Sequence, residues 1–179
     1  MPQPEDAEDQ LASFLSKYTP EIASLAKAIR ARMRTLYPTA LELVYDNYNA
    51  LAIGYGPTEK SSEAIFSIAL FPRWVSLFFL QAAGLPDPDK LLRGSGNVAK
   101  HVVLPSASEL GTPAIQALMR EAEESAKVAF DPNAIHRLII KSISQKQKPR
   151  RPATASAPHQ AAKKPRNARS KPTARTRQP

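Results

Sequence analysis

The chain has no cysteine in 179 residues, which excludes a disulfide framework, a zinc ribbon and a thiol nucleophile. That fits a reducing compartment, and a cytoplasmic location is the expectation. Histidine is almost as scarce, with only His101, His136 and the tail residue His159. GxSxG and HExxH are both missing, and no histidine stands at metal-ligand spacing from a carboxylate. No catalytic residue and no metal ligand is therefore assigned. No apolar stretch approaches the roughly 18–20 residues that a membrane helix needs. The opening MPQPEDAEDQ is acidic and polar, unlike a signal peptide, so a soluble protein is expected. The most uneven absence is that of acid. Residues 1–144 hold 14 Lys+Arg and all 16 Asp+Glu, a net of −2, whereas residues 145–179 hold the other 11 Lys+Arg and no acid, a net of +11. The formal charge of +9 belongs to the tail, and the part before it is close to neutral.

What is present centres on residues 63–80, EAIFSIALFPRWVSLFFL. Two apolar runs of strand length flank Phe71-Pro72-Arg73, the pattern of a β-hairpin. Ala64, Phe66, Ile68 and Leu70 share one face of the first arm, and Val75, Leu77 and Phe79 one face of the second. A hairpin so apolar belongs mid-sheet beneath helices. Residues 41–45 and 50–55 are two further strands around a polar turn, and residues 98–104 a fifth. Short connections imply antiparallel pairing. The fold class expected is α+β, an antiparallel sheet of about five strands with helices packed on one face.

Leu11, Phe14, Leu15 and Tyr18 mark a first helix over residues 5–18. Thr19-Pro20 starts a second, with the stripe Ile22, Leu25, Ile29, Met33 and Leu36. A helical turn is expected at residues 89–93. Thr112-Pro113 repeats the cap signature before Ile115, Leu118, Met119, Ala122, Ala126 and Ala129. Asp131-Pro132 opens a last helix carrying Ile135, Leu138, Ile139 and Ile143, whose stripe must bury against the sheet or a partner chain, so a homodimer is one expectation. The resulting division is residues 1–40 for the N-terminal helices, 41–130 for the sheet and helix core, 131–144 for the C-terminal helix and 145–179 for a disordered basic tail.

Candidate sites are few. Glu5, Asp6, Glu8 and Asp9 crowd the start of the first helix, where the helix dipole favours negative charge; an iron site is the sharper alternative. Lys27, Arg30 and Arg34 make a basic row, read as a solvated helix face or an extension of an anion-binding surface. Gly94-Ser95-Gly96-Asn97 lacks a Walker ending and precedes a strand, so it reads as a turn. If a ligand pocket exists, it is expected where polar or aromatic groups interrupt apolar strands: Tyr45, Asp46 and Asn49, Arg73 and Trp74, and Lys100 and His101.

From Leu41 to about Ala126 the chain resembles the YdhG-like family, on LELVYDNYNALAIGY, FSIALFPRWVSLFFL and LLRGSGNVAKHVVL followed by a helix. The resemblance implies an α+β fold similar to frataxin's architecture, and some relatives are regarded as iron chaperones, which makes iron the alternative cofactor to none. Residues 145–179 resemble the basic tails of linker-histone-like proteins. They contain six prolines and no large apolar residue, so they cannot offset chain entropy by burial. Their cations are Lys146, Lys148, Arg150, Arg151, Lys163, Lys164, Arg166, Arg169, Lys171, Arg175 and Arg177, spread between small residues as suits polyphosphate tracking. Lacking Trp, Phe and Leu, the tail has nothing to insert into a bilayer, so no membrane partner is expected. The expected function is a non-enzymatic binding protein with a sequence-independent nucleic-acid tail. A frataxin-like iron chaperone is the first alternative. A small-molecule sensor or enzyme with a pocket near residues 46–49 is the second.

Overall fold

In the computed structural model, residues 4–153 are described. Three helices lie on one face of a six-stranded sheet of order β5-β4-β3-β2-β1-β6. Helix α1 spans Pro4–Ser16 and α2 spans Pro20–Leu36. Thr19 caps α2 as its sequence implies, its Oγ1 accepting from Ile22 N at 3.4 Å, with Pro20 in the first helical position. Strands β1 (Leu41–Asp46), β2 (Leu51–Gly56), β3 (Phe66–Leu70), β4 (Val75–Phe79) and β5 (Lys100–Leu104) form an antiparallel run. Helix α3 (Pro113–Glu124) follows, and β6 (Leu138–Ile143) closes the sheet beside β1.

The hairpin β3–β4 sits inside the sheet as its composition requires. Phe66, Ile68, Leu70, Val75, Leu77 and Phe79 are all fully buried, pointing at the helices. Tyr37 at the end of α2 packs 5.0 Å from Phe66, and Phe66 meets Phe79 edge-on at 5.7 Å. Ile22, Ala26, Ile29 and Met33 of α2, and Ile115, Leu118, Met119 and Ala122 of α3, complete the same core.

Three expectations are corrected. Residues 131–144 do not form a helix. The Asp131 carboxylate accepts from Asn133 N at 2.8 Å in a local turn, and the Leu-Ile-Ile run that follows extends along β1 in parallel. The physical reason is twofold: β-branched residues fit a pleated edge, and β1 would otherwise leave a row of unpaired backbone groups. The sheet therefore has six strands and is mixed. Its one irregularity is a register shift between Val44 and Tyr45, where β6 bulges at Lys141. The helical turn expected at residues 89–93 is also absent. Asp87 instead holds Leu91 N and Leu92 N, both at 2.9 Å, and Arg93 bridges His101 outside β5. Finally, α3 ends at Glu124, so Ala126 and Ala129 lie beyond it.

Candidate functional site

One end of the sheet gathers most of the chain's functional vocabulary. Strands β1 and β2 are joined through residues 47–50, closed by Asn47 N donating to Ala50 O at 3.0 Å. Strands β3 and β4 are joined through residues 71–74, closed by Phe71 N donating to Trp74 O at 2.9 Å. Asp46 pairs with Leu51, Leu51 with Leu70 and Leu70 with Val75, so both turns emerge at the same end. The C-terminus of α1 arrives there too. Lys17 Nζ lies 2.7 Å from Asp46 Oδ2, and the Tyr18 hydroxyl donates to Leu70 O and accepts from Leu51 N, each at 3.0 Å.

The chain beyond β6 also belongs to this end, which moves the tail boundary from residue 145 to beyond residue 151. Ser144 N donates to Asp46 O and Lys148 N to Tyr48 O, both at 2.9 Å. Arg150 is 5% exposed. Its Nη2 donates to Asp46 Oδ1 at 2.8 Å and to Asn47 O, and its guanidinium lies 5.8 Å over the Tyr18 ring. Arg151 reaches the carbonyls of Lys17 and Ser16 at the end of α1. The cause is Asp46, fully buried at the end of β1, because a buried carboxylate needs opposite charge and hydrogen bonds around it. Burial alone would raise its pKa; the bonds from Lys17, Gln147 and Arg150 outweigh that and hold the carboxyl below its ordinary value. Arg150 is thus a structural anchor and leaves the set of cations expected from the sequence to meet nucleic acid. Lys146, Lys148 and Arg151 are exposed and stay in it. The residues from Lys163 to Arg177 lie outside the described part.

Replacing Arg150 by Met is expected to cost about 2–3 kcal/mol, since Lys17 still faces Asp46, and Arg150→Lys to restore little of it. Chemical denaturation measures the loss, and the folded variant's affinity for DNA should remain that of the unaltered protein. A stability unchanged by Arg150→Met would remove the anchor.

The residues expected to line a pocket are only partly brought together. Asn49, Arg73 and Trp74 are exposed on the two turns at this end. Asp46 is there as well, but its carboxylate is spent on Lys17 and Arg150, so it offers no free acid or base. Tyr45 points to the sheet face away from the helices. Lys100 and His101 do not join the group. Lys100 pairs with Phe79 and Leu104 with Val75, which places them at the opposite end of β5. There His101 stacks on Phe78 at 4.8 Å, and Lys100 Nζ donates to Gly94 O at 2.7 Å. Burial and then the charge of Arg93 lower the His101 pKa. Sequence reasoning overlooked Tyr48, whose signal was an aromatic ring in an otherwise polar turn, and Lys17.

Glu8 of the acidic cluster and Arg30 and Arg34 of the basic row are also reassigned. Arg30 donates to both oxygens of Glu8 at 2.8–2.9 Å, and from Nε and Nη2 to Glu42 at 2.6–3.1 Å. Arg34 bonds the same two glutamates. Glu42 is completely buried on β1, and Arg30 and Arg34 form a cross-brace between α1, α2 and the sheet, while Lys27 of the same row is exposed, as a solvated face implies. Among the described residues no group of three or more His, Cys, Asp or Glu stands where it could hold a metal ion.

The hydrogen bond from Arg30, joined by that of Arg34 against the opposing effect of burial, holds Glu8 at about 2. Burial raises Glu42, but the two arginines more than offset it and keep its carboxyl low. Carboxyls with folded pKa values below their unfolded ones stabilise the fold at pH above the unfolded value, here 4.5, and that contribution is lost as pH falls toward about 2. The cross-brace's contribution to the thermal midpoint should therefore be level from neutral pH down to the unfolded value and drop below it. In Glu42→Gln the midpoint should start lower and fall less; an equal acid drop in both proteins would contradict the cross-brace.

Among the described residues, a surface concavity of about 530 Å³ lies elsewhere, between α2 and the turn after β5, lined by Arg32, Thr35 and Ser108. Another, of about 140 Å³, lies between Asp87, Leu91 and Leu118. Neither contains a residue of the expected pocket. No protein-family model, curated protein or solved structure matches this chain.

Proposed function

We propose that the protein is a non-enzymatic nucleic-acid-binding protein: a small α+β domain, similar to the YdhG-like family, held on DNA or RNA without sequence preference by its basic C-terminal extension. The observation that carries the proposal is the charge partition. Residues 152–179 contain seven Lys or Arg and no Asp or Glu, next to exposed Lys146, Lys148 and Arg151 on the body. Cations spaced by small residues and proline neutralise successive phosphates and release counterions, which needs charge and reach but no base contact. A cytoplasmic setting, where nucleic acid is abundant, belongs to the same proposal.

Iron handling has less to support it. Hard cations want several free carboxylates together. Of the expected acidic cluster, Glu8 is occupied by Arg30 and Arg34.

The test compares the full chain with a chain ending at residue 153, which keeps every strand and helix of the described residues. If about half of the seven removed cations contact phosphates, truncation should weaken binding to labelled duplex DNA or RNA roughly a hundred- to a thousandfold at about 0.1 M salt. Two duplexes of unrelated sequence should bind the full chain alike. Fluorescence anisotropy reads both, and equal affinity for the two chains would make the extension a bystander.

A further inference from the structure

Resting on that proposal, we infer that the turn end of the sheet is a base-stacking platform, formed by Tyr48 and Trp74, that gives the protein a preference for single-stranded nucleic acid. The extension supplies charge but carries no aromatic residue after Phe130, so by itself it grips phosphates and ignores bases. The folded body supplies the missing chemistry at the place where the extension leaves it.

Tyr48 is 50% exposed and Trp74 is 42% exposed, each on a tight turn, where burial has no need of a large ring. Both rings are braced. The Lys148 ammonium lies 5.4 Å from the centre of the Tyr48 ring, and Trp74 stacks on Phe71 at 5.0 Å with 22° between the planes. A braced ring loses little freedom when a base stacks on it, which is what makes a stacking platform effective. The two turns join neighbouring pairs of strands, so they stand about two strand spacings apart, on the order of 10 Å. That span suits two bases of one strand with a nucleotide between them.

Charge completes the arrangement. Arg73 sits beside Trp74, and Lys148 beside Tyr48. Lys146 and Arg151 are exposed on the segment that crosses the same end. Asp46, the buried carboxylate at this end, is neutralised by Lys17 and Arg150, and exposed Glu21 lies within electrostatic reach of Arg151 only at its margin. Arg151 is fixed to the end of α1, so the residues from 152 onward start at the platform. A strand gripped by the extension is thereby presented to the rings. A duplex keeps its bases stacked inside and has none to offer.

Trp74 is the chain's only tryptophan, so its emission reports directly on the site. The experiment titrates the full-length protein with oligothymidylate, with a duplex of equal length and with an abasic strand of the same sugar–phosphate backbone. Oligothymidylate should quench Trp74 saturably; the duplex and the abasic strand should bind and leave the emission nearly unchanged. Tyr48→Leu and Trp74→Leu should each weaken oligothymidylate binding roughly five- to a hundredfold, with duplex affinity within about twofold. Tyr48→Phe should bind as the unaltered protein does. If all three ligands bind and none quenches, or the Leu variants lose nothing on oligothymidylate, the platform is wrong while the extension's role stands. If the full-length protein binds none of them, the nucleic-acid proposal itself falls and the platform with it.

Discussion

Replacing Glu42 by Ala should destabilise the protein by about 3–5 kcal/mol, a large share of the roughly 5–15 kcal/mol that a domain of this kind possesses. The carboxylate has no exposure and takes hydrogen bonds from Arg30 Nε and Nη2 and from Arg34 Nε and Nη2. His136 Nε2 lies 3.4 Å away. Removing it leaves Arg30, whose side chain is only 13% exposed, to share Glu8 with Arg34. The cost comes from that uncompensated charge more than from the lost attraction. Joint replacement of Arg30 by Met and Glu42 by Leu should therefore cost clearly less than the sum of the two single changes. Urea denaturation of the four proteins decides it. Additive losses would mean that the groups do not act as a pair.

The same residue shows where the fold was legible in the chain and where it was not. The β3–β4 hairpin could be read because one side of each arm is apolar throughout and a Pro-Arg turn separates them. Thr19-Pro20 marked the start of α2 because an N-cap hydroxyl and a ring-fixed φ act locally. Strand β1 is different. Leu41, Leu43 and Tyr45 form its more apolar parity, yet Val44 faces the helices, flanked by Glu42 and Asp46. What turns that face inward is the presence of Arg30, Arg34, Lys17 and Arg150 on other elements, and strand periodicity carries no trace of them.

Strand β6 was hidden for a related reason. Ile135, Leu138, Ile139 and Ile143 also fit a helical spacing, and the preference for a strand comes from the free edge of β1, nearly a hundred residues earlier in the chain. Arg150 is the sharpest case. Composition makes it one of eleven equivalent cations, and only the buried Asp46 separates it from the rest. At the candidate site, Arg73, Trp74 and Asn49 could be singled out as unusual turn residues. Their company with Tyr48 and Lys148, and the separation of Lys100 and His101 from them, follow from strand order and register.

The second large effect concerns salt. The eleven cations of residues 145–179 less the buried Arg150 leave ten that can meet phosphates. If about half do so on duplex DNA, the logarithm of the binding constant should fall with the logarithm of salt concentration at a slope of roughly −4 to −5. Raising salt from about 50 to 200 mM would then weaken binding by roughly two to three powers of ten. The chain ending at residue 153 keeps only Lys146, Lys148 and Arg151 of that set, so its slope should be about −1 to −2. Exchanging the remaining arginines for lysines should change little, because tracking a phosphate chain depends on charge more than on bidentate geometry.

That pair of slopes is the most direct measure of whether the extension, and not the folded body, holds the nucleic acid. Anisotropy titrations of one duplex with both chains at four or five salt concentrations suffice. A slope near −4 to −5 for the full chain that collapses on truncation is the predicted result. Parallel lines for the two chains would contradict it.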